Sequence, residues 1–176
     1  MKQFKEKLGD SYGTPQWLFD ELNEEFNFDI DLCATKDNSK CINYCKDYLL
    51  DILDERSDIE ATNTECSFIE YIQSYKDVTC FMNPPYSNPY PFVKKAWEDS
   101  KYCKIVLVLS AKTNTKWWRV FWDSDNHKPY GGCKVRFIPY RRHHKSRVAF
   151  VNPETGKEQS GNTCGTSIII FDRRDL

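Results

Sequence analysis

The sequence predicts an α/β fold: a largely parallel sheet with an antiparallel edge strand and helices on both faces, contained in one domain. Segments with helical spacing alternate with short apolar runs, the pattern of strands joined by crossover helices. One run, Ile105 to Leu109, is apolar at every position, as a strand covered on both faces must be. The chain has 176 residues, enough for a single core that removes roughly two-thirds of the unfolded surface from water.

In "TPQWLFDELNEEF", Thr14 and Pro15 read as an N-cap and first-turn pair, and Leu18, Leu22 and Phe26 recur every fourth residue, so an amphipathic helix is expected. Phe28, Ile30 and Leu32 then alternate with polar residues, which predicts a strand with Asp31 near its carboxyl end. A second short strand is expected at "KCINYC". From Asp51 to Lys76 the pattern weakens, and the stretch reads as a solvated insertion with one helix around Phe68 to Tyr75. Next come "VTCFM" as strand, "PFVKKAWEDSKY" as helix, "KIVLVLS" as the buried strand, "NTKWWRVFW" as helix and "KVRFI" as strand. "RVAFV" and "TSIIIF" flank a Gly/Asn-containing, hairpin-like connection, "NPETGKEQSGNTCG", and this closing pair predicts the antiparallel edge.

Net charge is only −1, but it is unevenly spread. Asp47 to Asp77 holds nine acidic and two basic residues, whereas Asn126 to Pro153 holds seven Lys/Arg and no acid. The second stretch suits phosphates. No basic-then-apolar leader opens the sequence and no apolar run approaches the ~20 residues that span a bilayer, so a cytoplasmic protein without membrane contact is expected. The eight cysteines (33, 41, 45, 66, 80, 103, 133, 164) form no CxxC pairs and read as reduced thiols. Cys41 and Cys45 with a distant Cys or His make an incomplete zinc pattern, and no metal is expected.

In open sheets of this kind ligands bind beyond the carboxyl ends of the strands, where both Asp31 and the loop Asn83-Pro84-Pro85-Tyr86 fall. Two adjacent prolines end a strand and stiffen the loop after it. Such a loop suits an exocyclic amine on a planar ring, whose delocalised lone pair needs hydrogen-bond acceptors. The Asn83 side-chain oxygen and the Pro84 carbonyl can each take one N–H, and Tyr86 offers a ring on which a flipped base stacks. The competing reading is a structural turn.

The ordered set "TPQWLFDELNEEF", "FDIDLCA", "NSKC", "FMNPPYS", "VLSAKTNTKWW", "VRFI" and "SIIIF" resembles the phage-type DNA N6-adenine methyltransferase (Dam) family over nearly the whole chain. The resemblance implies a Rossmann-like, S-adenosylmethionine-dependent methyltransferase fold for residues 1–176, methyl transfer to adenine N6 in double-stranded DNA, and no obligate protein partner. It implies that Asn83, Pro84, Pro85 and Tyr86 hold the adenine, and that Thr14, Pro15, Trp17, Asp31, Cys33 and Ala34 border the methyl donor. Asp47, ahead of Asp51, is the candidate for the donor's ribose hydroxyls. Arg141, Arg142, Lys145 and Arg147, in a basic loop at about 139–165, are the candidate DNA contacts. The chain departs from methyltransferases generally in having no glycine between Gly13 and Gly131, so Cys33 and Ala34 must serve where a glycine-rich turn is usual.

Blander readings stand beside these. Asp31 also suits loop bonding, Trp17, Trp117 and Trp118 suit the core, and the basic run around His143 and His144 suits a solvated surface. Methylation of another planar amine, in RNA or a glutamine side chain, and a catalytically idle DNA-binding relative are the alternative functions.

Overall fold

The computed structural model describes residue 10 and residues 12–45, 48, 59–60, 68–138, 148–159 and 164–176. Asp47, Arg141, Arg142, Lys145 and Arg147 lie outside the described residues. The elements in chain order are α1 (Gln16–Phe26), β1 (Ile30–Leu32), β2 (Asn43–Cys45), β3 (Ile59–Glu60), α2 (Phe68–Ser74), β4 (Thr79–Met82), α3 (Tyr90–Asp99) and β5 (Lys104–Ser110). A 3-10 helix (Lys116–Val120) comes next, then β6 (Trp122–Asp123), β7 (Lys128–Pro129), β8 (Cys133–Phe137), β9 (Phe150–Val151), β10 (Glu158–Gln159) and β11 (Thr166–Phe171).

Seven strands form the main sheet in the order β3-β2-β1-β4-β5-β11-β8. Pairing is parallel from β2 through β1 and β4 to β5, which is the mostly parallel α/β sheet expected. The antiparallel edge is β3, two residues paired with β2. The closing strand β11 is also antiparallel, but it lies inside the sheet between β5 and β8. Chain order reverses at β1, which pairs with β2 on one side and β4 on the other. Such a reversal opens a crevice at the carboxyl ends of the flanking strands.

Two apolar layers cover the sheet. On one face α1 contributes Leu18, Phe19 and Leu22, which pack with Phe81, Val106, Val108, Ile168 and Ile170. On the other, α3 contributes Phe92, Val93 and Ala96 against Ile30, Leu32, Leu107 and Ile169. Alternate residues of β5 and β11 thus belong to opposite layers, as the two-residue period of a strand requires. Beneath α3 lies a buried ionic group: the Lys95 ammonium is 2.7 Å from Asp99, and it sits over the Tyr48 ring, whose hydroxyl donates to the same carboxylate at 2.6 Å. Two charges removed from water persist only when paired in this way.

Several elements differ from the sequence reading. Helix α1 begins at Gln16 with Pro15 in the N-cap position, and no side chain caps it; Thr14 is therefore not the cap. "NTKWWRVFW" supplies only the five-residue 3-10 helix, because the chain turns into β6 at Trp122. Its Trp117 and Trp118 are buried in the core. Of "RVAFV", Phe150 and Val151 pair with β10 in a separate hairpin instead of joining the sheet. Helix α2 buries Phe68 and Ile72, so this part of the 51–76 segment packs into the core. No described helix is long and apolar enough to cross a membrane. Among the described residues no three His, Cys, Asp or Glu side chains gather where a metal ion could be held, and the seven described cysteines form no disulfide.

Candidate active site

Strands β1 and β4 run side by side with Asp31 opposite Phe81. Both chains leave the sheet at the same end, one through Cys33 and Ala34, the other through Asn83-Pro84-Pro85-Tyr86. Pro84 and Pro85 are buried immediately after β4, where neither ring can extend a ladder.

The Asn83 amide is held from one side only. Its Nδ2 donates to the Tyr12 carbonyl at 3.1 Å, while its Oδ1 is buried and has no hydrogen-bond partner among the described residues. An unmade bond to a buried acceptor costs about 1–3 kcal/mol. Tyr86 donates its hydroxyl to the Val108 carbonyl of β5 at 3.1 Å, and burial holds that phenol protonated, above its ordinary range. The ring meets Phe150 edge-on at 5.5 Å. Immediately after it, the Ser87 N–H and hydroxyl donate to the Asp10 carboxylate at 2.8 and 2.6 Å. Tyr12 and Asp10 thus clamp the loop at two points.

Beside this loop opens a cavity of about 450 Å³ lined by Asp10, Gly13, Thr14, Cys33, Ala34, Asp37, Asn38, Lys40, Pro85 and residues of the β9–β10 hairpin. Thr14 is 3% exposed, and its hydroxyl has no partner among the described residues. The turn after β1 is closed by two N–H donations, from Cys33 and Ala34 to the Cys45 carbonyl at 2.8 and 3.3 Å. Cys33 has φ 66°, the left-handed region that glycine tolerates best. A side chain there carries strain of the order of 1–2 kcal/mol, kept by the surrounding bonds at the cavity wall. Burial, and next the neighbouring Cys45 thiol, push the Cys33 thiol well above its ordinary value, so it supplies no thiolate nucleophile.

Asp31, two residues before the cavity-lining Cys33, is 4% exposed and is not among the lining residues. Its Oδ2 accepts the Lys40 N–H at 2.8 Å, folding residues 35–40 back over the strand end. Burial pushes its carboxyl up to about 7, although that N–H and the Lys40 charge act the other way.

Of the residues singled out from the sequence, Thr14, Cys33, Ala34 and Pro85 thus surround one cavity, with Asn83 and Tyr86 on the adjoining loop. Pro15 is buried at the start of α1, and Trp17 packs partly buried against the α1-side core; neither lines the cavity. The sequence reading missed Asp10 and Tyr12, and it read a hairpin-like connection here without placing it at the site. Within the stretch read as a DNA-contacting loop, Phe150–Val151 and Glu158–Gln159 pair as a hairpin bonded to Gly13, and its Val151, Asn152, Pro153 and Gly156 line the cavity. The signal available was compositional only: "NPETG" is a turn sequence between two strand-forming pairs.

A family model described as DNA N-6-adenine-methyltransferase (Dam) matches residues 2–175. The DNA N-6-adenine-methyltransferase of Haemophilus phage HP1 (strain HP1c1) is 30% identical over 169 residues, covering 93% of this chain and 79% of the relative. The DNA N-6-adenine-methyltransferase of Escherichia phage T1 is 27% identical over 180 residues, covering 95% of this chain and 63% of the relative.

Proposed function

The chain belongs to the DNA N-6-adenine-methyltransferase (Dam) family and is an adenine-specific DNA methyltransferase; from that premise we propose that it takes the methyl group from S-adenosylmethionine and holds a base flipped out of double-stranded DNA in its Asn-Pro-Pro-Tyr loop. The observation that carries the reading is the Asn83 amide, with its nitrogen engaged by Tyr12 and its oxygen buried and unpartnered among the described residues. An acceptor left in that condition is matched to an incoming N–H.

The cavity residues fit the donor. S-adenosylmethionine, when bound, supplies a methyl group on a cationic sulfonium that leaves as a neutral sulfide, so no covalent attachment to the protein is needed. Asp10 and Asp37 on the wall favour a ligand bearing positive charge, while Lys40 suits its carboxylate. The Thr14 hydroxyl is available to a polar group, and Cys33, Ala34, Pro85 and Val151 offer apolar contact.

On the acceptor side, Asn83 Oδ1 takes one N–H of the adenine amine and the Pro84 carbonyl takes the other. Both acceptors pull the nitrogen toward tetrahedral geometry and return its lone pair. They bind the amine more strongly as positive charge develops on it, which is where such interactions lower a barrier. Tyr86, held by its bond to Val108, provides the stacking ring. Arg141, Arg142, Lys145 and Arg147 neutralise backbone phosphates.

Incubation of the purified protein with labelled S-adenosylmethionine and unmodified genomic DNA, followed by nucleoside mass analysis, tests this. N6-methyldeoxyadenosine is the expected product. Methylcytosine, or label confined to RNA or protein, overturns it.

A further inference from the structure

We propose that Tyr12 is a positioning residue for the methyl transfer: tied to the β9–β10 hairpin, it aims the Asn83 amide so that the oxygen, not the nitrogen, faces the base. The inference rests on the proposed role of Asn83 and adds a requirement that the Asn-Pro-Pro-Tyr loop does not meet alone. An asparagine amide has nearly equal shape at its two ends, and rotation by half a turn exchanges a twofold acceptor for a twofold donor. Only the acceptor end can receive the N–H of an adenine amine. A buried Oδ1 without a partner also favours any rotation that would satisfy it. Something outside the loop must therefore select the end.

The Tyr12 carbonyl does so. It accepts from Asn83 Nδ2 at 3.1 Å, and a rotated amide would set oxygen against oxygen there. That selection is only as firm as the carbonyl's own position, which is secured from both sides. Gly13, the next residue, exchanges both backbone bonds with Val151 at 2.9 and 2.8 Å. The Tyr12 hydroxyl donates to Gln159 Oε1 at 2.8 Å and accepts from Asn152 Nδ2 at 3.2 Å, and Asn152 Nδ2 also reaches Gln159 Oε1 at 2.9 Å. Val151, Asn152 and Gln159 all belong to the hairpin whose Phe150 abuts the Tyr86 ring. One small element therefore sets the acceptor amide through Tyr12 and supports the stacking ring directly.

The test separates aiming from folding and from ligand binding. Tyr12→Phe and Gln159→Leu each break the bond between hydroxyl and amide oxygen while leaving the Gly13–Val151 bonds. Single-turnover methyl transfer from the preformed ternary complex should fall roughly five-fold in each, the effect of one neutral hydrogen bond. Dissociation constants for S-adenosylmethionine and for a DNA duplex should stay within about two-fold of wild type, as should the urea midpoint. Because both changes cut the bond between hydroxyl and amide oxygen while each also cuts a different bond to Asn152, the double variant should fall by less than the product of the two single effects. Gln159→Glu, which keeps an acceptor for the hydroxyl, should transfer methyl groups at nearly the wild-type rate. Unchanged rates in Tyr12→Phe and Gln159→Leu would overturn the proposal. So would a loss of donor affinity with an unaltered ternary-complex rate, because the strap would then be a cavity wall only. Wild-type protein that methylates no adenine refutes the underlying reading instead, and is distinguished by the product analysis above.

Discussion

Replacing Asp31 with asparagine should make the protein's stability less dependent on pH. The carboxyl is 4% exposed, and burial moves its titration from the ordinary 3.8 to about 7. An unfolded chain loses this proton near the lower value and the folded one near the higher, so between them folding takes up a proton. Stability then declines as pH rises through that interval and levels off above about 7. The whole separation corresponds to about 4 kcal/mol at 1.36 kcal/mol per pH unit. The part falling between pH 5 and pH 8 is roughly 2.5 kcal/mol, since about one pH unit of the decline is already complete at pH 5. The Asp31→Asn variant keeps the side chain's shape and removes the ionisation. Urea unfolding of both proteins at pH 5 and pH 8 measures it, and groups common to the two cancel in the difference. Wild type should lose roughly 2.5 kcal/mol relative to Asp31→Asn over that range. Parallel pH dependences would refute the reasoning, because Asp31 would then ionise at its ordinary value, solvated in spite of the enclosing turn.

The same ionisation should appear in donor binding: affinity for the cationic S-adenosylmethionine should rise in wild type as pH passes upward through about 7, and titration calorimetry should find that dependence gone in Asp31→Asn. Asn83→Ala should slow single-turnover methyl transfer by roughly 10²–10³-fold, the scale of losing one preorganised group in a polar catalytic site, with donor affinity within a few-fold; an unaltered rate would remove Asn83 from catalysis. Alanine at both Arg141 and Arg142 should weaken binding to unrelated DNA sequences alike and flatten log affinity against log salt by up to ~2, about 0.9 for each lost phosphate contact. Fluorescence anisotropy over a salt series reads this directly, and an intact slope places the DNA interface elsewhere.

Local periodicity was enough to locate the parallel core. Ile105 to Leu109 must be covered on both faces whatever covers it, and Pro84-Pro85 must end β4 whatever the next segment is. Asp31 and Asn83 could therefore be placed at the carboxyl ends of strands from short-range rules alone. Those rules say how much of a residue is buried and where a strand stops, but not which distant segment lies against it. Thr14 shows the difference: its spacing before Pro15 fits a helix cap, yet tertiary packing leaves its hydroxyl buried at the cavity with no partner among the described residues. Chain order likewise predicted a closing pair, whereas β11 enters the sheet between β5 and β8 and leaves Phe150 and Val151 to a separate hairpin. The contacts that orient Asn83 were the least legible, because Tyr12 is 71 positions from Asn83 and 140 from Asn152, and neither Tyr12 nor Asn152 sits in a periodic pattern. Sequence by itself determined the fold class and the loop suited to an amine. Only the tertiary structure decided which end of the Asn83 amide is free, since that depends on a carbonyl held in place by a hairpin from the far end of the chain.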